Sequence, residues 1–458
     1  MTSFLQIPHG AHYWLCNGRV PLTLLTSDVS CRIAAALSAE GRSNDDAALV
    51  LVDIEVRDGA VVTVQPATDQ SPIAFERDDV PRVDVRSGLI WPCFVDVHTH
   101  LDKGHIWPRS PNPDGTFGGA LGAVRADSDR NWHAEDVYRR AEFGLKCSYA
   151  HGTQAIRTHL DSFDGQGDIS FEVFRQLRSA WQGKIALQAV CLVTLDYFMG
   201  DKGDRLADLV AESGGILGGV AFANGGLNAE IVQQIDRAFE LAKARGLDLD
   251  FHTDESLDPG DMALRHVAEA AIRHGFAGRV TCGHCCSLSV QSDEERGKTI
   301  ALVKAAGISV VSLPMCNLYL QNRQAGQTPR YRGVTLLHEL KAAGVPVALA
   351  SDNCRDPFFA YGDHDGLEVF TQSARIGHLD HPIGAWPQSV TRVPADMMGL
   401  AAGAGLIGEG GSADFVVFKA RNFNELMSRP QGDRTVIRHG QQIDTTLPDY
   451  AELDDLMH

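Results

Sequence analysis

Positive charge is what this sequence is short of. Lysine and arginine total 41 against 59 aspartates and glutamates, giving a formal net charge of −18. So acidic a chain repels the phosphates of nucleic acid and of anionic lipid, and neither is expected as a partner. An anionic substrate is also disfavoured unless a local basic pocket receives it. Long apolar runs are missing too: none approaches the roughly 18 residues that cross a bilayer. The opening residues, Met1-Thr-Ser-Phe-Leu-Gln6, show no basic segment ahead of an apolar core, so no export signal is read there. Cysteine is not scarce. Without an export signal the ten cysteines read as reduced thiols, and a cytoplasmic location is expected. No low-complexity tract and no short-period repeat stands out.

What is present is periodic. The first 90 residues alternate short strand-like runs with turns, such as Ala48–Val56 followed by Asp58-Gly59. From there the pattern becomes strand, then amphipathic helix, repeated. Eight strands are predicted: Phe94–His100, Gln154–Asp161, Lys184–Val193, Ile216–Ala223, Leu247–Thr253, Arg279–Cys285, Ile308–Leu313 and Val345–Ser351. Helices such as Glu230–Arg245 and Met262–His274 lie between them. The fold class read from this order is α/β, a (β/α)8 TIM-type barrel over residues 91–399. A doubly wound open sheet is the runner-up. Strand-like runs return at Ala413–Phe418 and Thr435–Gly440. Residues 1–90 and 400–458 are therefore expected to form a small β-sandwich domain together.

Acid/base and metal-type residues gather at the predicted strand ends. Phe94-Val-Asp-Val-His98-Thr-His100 ends in two histidines, and alternation puts both on one face. His252 ends the fifth strand, His284 the sixth, and Asp352 follows the eighth. Any one of these alone is most often a hydrogen-bonded core or loop residue. A barrel would converge all five at the C-terminal ends of its strands, where active sites sit. The fifth strand sets Asp248, Asp250, His252 and Asp254 on one face and Leu247, Leu249 and Phe251 on the other. The second does the same with Arg157, His159 and Asp161. Either a barrel interior or a solvated edge strand gives that alternation, and the barrel is preferred because both polar rows run toward the same end.

Two rival motifs are weaker. Cys282-Gly-His-Cys285 has redox-motif spacing, but that motif opens a helix and this one falls within a predicted strand. His133-Ala-Glu135 matches half of the zinc signature of cytidine deaminases, but no Pro-Cys-x-x-Cys follows. His133 is read as near the start of a surface helix.

The His-x-His strand, the later histidines and the late aspartate resemble the amidohydrolase superfamily. The resemblance to its cytosine deaminase branch is closer and covers most of the chain. It rests on His98-Thr-His-Leu-Asp102, Arg157-Thr-His-Leu-Asp161, His252-Thr-Asp-Glu255, Leu320-Gln-Asn-Arg323, Ser351-Asp-Asn-Cys-Arg-Asp-Pro357 and Gly408–Val417. The resemblance implies a (β/α)8 barrel holding one divalent metal ion per subunit, zinc or iron, with an activated water. It implies His98, His100, His252 and Asp352 as ligands. His284 would hydrogen-bond the water or ligate weakly. Glu255 would shuttle protons, and Asp352 would accept the water's proton; for Glu255 alone, a surface carboxylate or helix-start acid is the plainer reading. Such a site attacks an amidine carbon and releases ammonia.

The substrate-reading positions depart from the cytosine deaminase pattern. Leu192-Val-Thr-Leu195-Asp196 stands where those enzymes carry Pro-Gln-Glu, Asn353 replaces an aspartate, and Phe358 replaces a tryptophan. Leu195, Asn353 and Phe358 are the expected substrate-binding positions. Lys103 reads either as a structural lysine or as a fourth. The Gly- and Pro-rich stretch Lys103–Gly122 is expected to be a loop covering the site. The expected substrate is a small amino-substituted heterocycle such as cytosine, isocytosine or a related pyrimidine, triazine or purine. Hydrolysis of a ring amide or an N-alkylamino group on the same scaffold is the alternative, and a non-enzymatic metal-binding protein is the third reading. A homo-oligomer is allowed by the sequence but not indicated by it.

Overall fold

A computed structural model describes residues 4–39, 49–67, 80–222 and 229–458. Five strands come first: β1 His12–Pro21, β2 Leu49–Arg57, β3 Ala60–Pro66, β4 Arg82–Asp84 and β5 Leu89–Pro92. Eight more follow: β6 Phe94–Thr99, β7 Thr153–Asp161, β8 Ala186–Leu192, β9 Leu217–Ala221, β10 Leu249–Thr253, β11 Val280–His284, β12 Ser309–Ser312 and β13 Val347–Leu349. The last are β14 Phe415–Phe418, β15 Thr435–Arg438 and β16 Gln441–Gln442. Two compact units result. One takes Met1–Val95, Cys147–Gln154 and Asp365–Leu447; the other takes Asp96–Lys146, Ala155–His364 and Pro448–His458.

The first unit is built on one sheet in the order β16-β15-β14-β5-β1-β2-β3, with β4 beside β1. Its β2–β3 hairpin turns at Asp58 and Gly59, both at positive φ (50° and 79°), as a tight two-residue turn requires. Ala48, placed in that arm by the sequence, lies outside the described residues. β14 pairs antiparallel with β5 and β15, so strands from both ends of the chain share the sheet. Trp91 is fully buried, with its ring centroid 5.3 Å from Phe370, 6.2 Å from Phe94 and Phe423, and 6.3 Å from Phe418. Burying rings of this size supplies most of a core's apolar area.

The second unit carries the parallel strands. They form a three-stranded sheet, β6-β7-β8, and a five-stranded sheet, β13-β12-β11-β10-β9. Isolated parallel bridges Val190–Ile216, Thr194–Val220 and Thr99–Asp352 link residues at their edges. All eight predicted strands are present with ends within two residues of expectation. Ala223 lies outside the described residues. Between strands run helices such as Ala229–Arg245 and Ala263–Arg273. The first buries Ile231, Ile235, Ala238, Phe239 and Ala242, spaced for one helical face. Phe239 meets Phe251 of β10 with ring centroids 6.4 Å apart, so the apolar row of β10 faces helix and Asp250 faces the other way.

Two local expectations are corrected. Asp254 does not continue the polar row of β10. It turns into left-handed backbone (φ 47°), and its carboxylate accepts from the Ala263 and Leu264 amides at 2.9 Å each. A carboxylate there satisfies the open N–H groups of the helix Ala263–Arg273. The stretch Lys103–Gly122 is only partly loop, because the helix Phe117–Asn131 begins within it. The Thr116 hydroxyl caps that helix by accepting from Gly119 at 3.0 Å, and the cap outweighs the low helix propensity of three glycines. His133 directly precedes the helix Ala134–Ala150, and its Nδ1 accepts from the Asp136 amide at 3.3 Å. Among the described residues no helix is long and apolar enough to cross a membrane.

Candidate metal centre

The parallel strands bring the four expected ligands together. His98 Nε2 lies 3.3 Å from His252 Nε2, and His252 Nε2 lies 3.1 Å from His100 Nε2. Asp352 Oδ1 stands 3.2 Å from His100 Nε2 and 3.6 Å from His98 Nε2. Two ligand atoms each about 2.1 Å from one tetrahedral ion stand about 3.4 Å apart. The observed spacings bracket that value. His98, His252, His284 and Asp352 also form a buried group whose ligand atoms all lie within 4.8 Å of one another.

The electrostatics suit the same occupant. Burial holds His98, His100 and His252 well below the usual imidazole pKa; the neighbouring His159, Lys103 and His98 charges, respectively, push further the same way. Neutral imidazole is the form that ligates metal. Three lone pairs and a carboxylate converging with no cation among them would be an unfavourable arrangement. The residue set therefore fits one divalent ion.

Glu255 and His284 flank this group. Burial raises the Glu255 carboxyl well above its ordinary range; the Asp352 charge adds to this and Lys103 opposes it. Glu255 Oε1 lies 3.3 Å from His284 Nδ1. His284 is brought down to about 3 by burial, against a hydrogen bond from Asn317. Its Nε2 has no hydrogen-bond partner. Burial raises Asp352 to about 7.

Three of these positions sit in left-handed backbone: Asp254 (φ 47°), His284 (φ 67°) and Asp352 (φ 62°). Non-glycine residues held there cluster at functional sites. Gly283 serves the site differently. A Cβ on it would stand 2.9 Å from His98 Cε1, so only glycine admits the His98 ring beside β11.

The expected substrate positions divide. Lys103 is buried and bonds Asp161 at 2.8 Å, with its Nζ 5.6 Å above the Phe358 ring. Phe358 in turn meets Phe117 at 5.4 Å, and Phe117 meets Phe222 at 6.4 Å. Asn353 is engaged within its own loop: Nδ2 donates to Asp356 at 2.7 Å, and Oδ1 stands 3.6 Å from Cys316 Sγ. Leu195 begins the short turn after β8. Its Cδ2 would stand 3.0 Å from a Cβ on Gly219, which shares the helix-facing row with its β10 partner Phe251. The structure does not bring Leu195 to the histidines.

Sequence reasoning missed Asn317 and gave Gln321 no role beyond its place in the Leu320–Arg323 motif. Asn317 Nδ2 lies 3.0 Å from His284 Nδ1 and 3.2 Å from Glu255 Oε1. Gln321 donates to the Glu255 carbonyl at 3.0 Å. The available signal is Pro314, which opens the short helix Pro314–Leu320 after β12 and sets Asn317 one turn in. His159 gained no role from the sequence beyond its strand face. Its ring centroid is 3.9 Å from that of His98, and neither ring nitrogen has a hydrogen-bond partner.

Comparison with known proteins agrees with this chemistry. Residues 203–444 match the amidohydrolase family. The chain is 50% identical over 455 residues to a pterin deaminase of Rhizobium rhizogenes, covering 99% of this chain and 98% of the relative. It is 26% identical over 351 residues to an N-isopropylammelide isopropyl amidohydrolase of Pseudomonas sp. strain ADP, covering 74% of this chain and 81% of the relative. The crystal structure of 5-methylcytosine deaminase from Klebsiella pneumoniae liganded with 5-fluorocytosine superposes with a TM-score of 0.77 at 24% identity, covering 94% of this chain and 97% of that one. The chain has the α/β fold of the TIM-barrel amidohydrolases. It is a hydrolase acting on carbon–nitrogen bonds. This chain belongs to the amidohydrolase family.

Proposed function

We propose that the chain hydrolytically removes the 2-amino group of a pterin, giving the 2-oxo ring and ammonia. The observation that carries this reading is the buried Glu255 carboxyl beside His284 and the converging His98, His100, His252 and Asp352. The 50% identical pterin deaminase supports the substrate. The amino-bearing ring of pterin is the isocytosine ring, which suits the changes in the substrate-reading positions. Phe117, Phe222 and Phe358 form an aromatic face against which a flat bicyclic ring stacks.

His98, His100, His252 and Asp352 would hold one zinc or iron ion, with Nε2 as the imidazole ligand atom. When bound, that ion supplies Lewis acidity and brings the pKa of water toward neutrality. Asp352 takes a proton from the attacking water. Glu255 gives its proton to the ring nitrogen beside the amino-bearing carbon, which makes that carbon electrophilic. His284, oriented by Asn317, points Nε2 at the oxygen that develops on that carbon. Asp352 passes that first proton to the Glu255 carboxylate, which gives it to the leaving amine; as the carbon–nitrogen bond breaks and the carbonyl forms, the hydroxyl proton goes to Asp352 and on to Glu255, restoring both groups. Lys103 and Phe358 border the ring, while Asn353 shapes the loop behind it.

The fold reading is a closed (β/α)8 barrel over residues 91–399. It is supported by eight parallel strands and by edge bridges between β8 and β9 and from Thr99 to Asp352. Residues 1–90 and 400–458 are read as a small β-sandwich domain, on the strength of the sheet their strands share. A cytoplasmic location fits a small-molecule hydrolase with ten free cysteines, nine of them buried.

The test is ammonia release by metal-reconstituted protein from pterin, isocytosine, guanine, cytosine and an N-alkylamino triazine. Pterin is expected to turn over with the highest kcat/KM. Alkylamine release from the triazine with no ammonia from pterin would overturn the reading.

A further inference from the structure

A second group of metal-type side chains lies outside the candidate centre. His105, Cys354 and His364 are all buried, and their ligand atoms lie within 4.8 Å of one another. They come from two segments: His105 from the turn after β6, and Cys354 and His364 from the long loop after β13. His105 is 2% exposed, yet neither of its ring nitrogens has a hydrogen-bond partner. Its ring lies 5.5 Å from that of His364. The His364 backbone N–H donates to Cys354 Sγ; burial raises that thiol well above its ordinary range, and the contact works against the rise. His105 and His364 both sit in left-handed backbone, at φ 64° and 54°.

A buried imidazole with both nitrogens unmatched, next to a thiol and a second imidazole, is a poor way to fill a core. Hydrogen bonding does not explain the grouping, because His105 makes none with its ring. The charges nearby are already engaged. Arg140 bonds Asp136 at 2.9 Å, and the Arg355 guanidinium stacks on Tyr450 at 4.2 Å. Two neutral nitrogens and one thiolate sulfur form the donor set that selects zinc and similar thiophilic ions over calcium or magnesium.

We infer that His105, Cys354 and His364 form a second, structural metal site that takes zinc through two imidazoles and a thiolate. Ligand atoms of a bound zinc ion stand about 3.6 Å apart, a spacing within the 4.8 Å bound on this group. The Cys354 thiol gives up its proton to solvent as the bond to zinc forms. The backbone already joins these loops: His105 donates to the Cys354 carbonyl at 3.1 Å and Trp107 to that of Arg355 at 2.8 Å. The ion would add a side-chain clasp. Cys354 lies two residues past Asp352, so the clasp would fix the loop that presents Asp352. This inference stands independently of the substrate proposed above.

The experiment uses the full chain, reconstituted with zinc and then freed of loose metal, with bound metal counted by elemental analysis. Two zinc ions per chain are expected for the native protein, and one for Cys354→Ser and for His105→Gln. Cobalt supplies a second reading, since the first centre has no cysteine among its expected ligands. Cobalt-loaded native protein should show thiolate-to-cobalt charge-transfer absorption, and Cys354→Ser should lack it. A His98→Gln/His100→Gln variant should keep that absorption while losing one metal equivalent. Circular dichroism confirms that each variant is folded, and His105→Gln serves if Cys354→Ser is not. One zinc per folded native chain, or charge transfer that survives Cys354→Ser, would overturn the proposal.

Discussion

The Asn317 carboxamide lies 3.0 Å from His284 Nδ1. The same Nδ2 reaches Glu255 Oε1 at 3.2 Å, so one amide positions two groups of the candidate site. Removing such an outer partner costs about 10–100-fold in a metal enzyme. Asn317→Ala should lower kcat by about that factor with metal content unchanged. Steady-state kinetics with elemental analysis would check it, and an unchanged kcat would remove Asn317 from the mechanism.

Glu255→Gln keeps the shape of the side chain and removes the transferable proton. General acid–base catalysis contributes about 100- to 10,000-fold. We expect kcat for pterin to fall by at least the lower figure while the metal stays bound. Turnover close to that of the native protein would sink the proton-transfer role.

Chelation should abolish activity, and zinc or ferrous iron should restore it. Stability should fall with it, because an ion bound only by the folded chain stabilises by about 4 kcal/mol at a thousandfold excess over its Kd. A chelated protein with an unchanged melting temperature and undiminished turnover would contradict a resident ion.

Phe117→Ala should weaken pterin more than isocytosine, since the aromatic face matters most to the second ring. An aromatic contact contributes about 0.5–1.5 kcal/mol, or roughly a 2- to 12-fold rise in KM. Equal effects on both substrates would argue against stacking at this position.

Acid stability has a predicted window in the first unit. Burial works against the Asp365 carboxylate, but the Arg434 guanidinium, bonded to it twice at 2.7 Å, and then His151, bring its pKa down to about 2. The unfolded value is about 3.9, so the pair's contribution is complete above about pH 4 and is lost as pH falls through about 2. The difference amounts to about 2.6 kcal/mol. Asp365→Asn should remove that acid-dependent slope, and it should destabilise at neutral pH by about 3–5 kcal/mol because Arg434 is left buried and unpaired. Urea titrations across that pH range would show both effects, and a slope unchanged in the variant would refute the assignment.

The residues legible from sequence are those that alternation fixes. His98, His252 and His284 lie within strands, so a period of two and a strand end sufficed to place them. Asp254 was misread because the period ends with the strand: Thr253 is the last β10 residue, and the next one turns to cap a helix. The helix start at Phe117 was hidden by glycines whose propensity the Thr116 cap overrides. Asn317 depends on where a short helix starts and Leu195 on which way a short turn faces, and no repeating pattern records either. The grouping of His105, Cys354 and His364 joins residues 105 and 364, far apart in the chain, and only tertiary structure brings it together.

The left-handed backbone at His284 and Asp352 has a consequence for how this protein tolerates change. Each such residue costs about 1 kcal/mol relative to glycine, and the like-charged or unmatched groups around them add to that. The ligand-free centre is thus a place where the fold has given up stability for chemistry. Substituting glycine at 284 or asparagine at 352 should yield an inactive protein that, without metal, melts higher than the native chain.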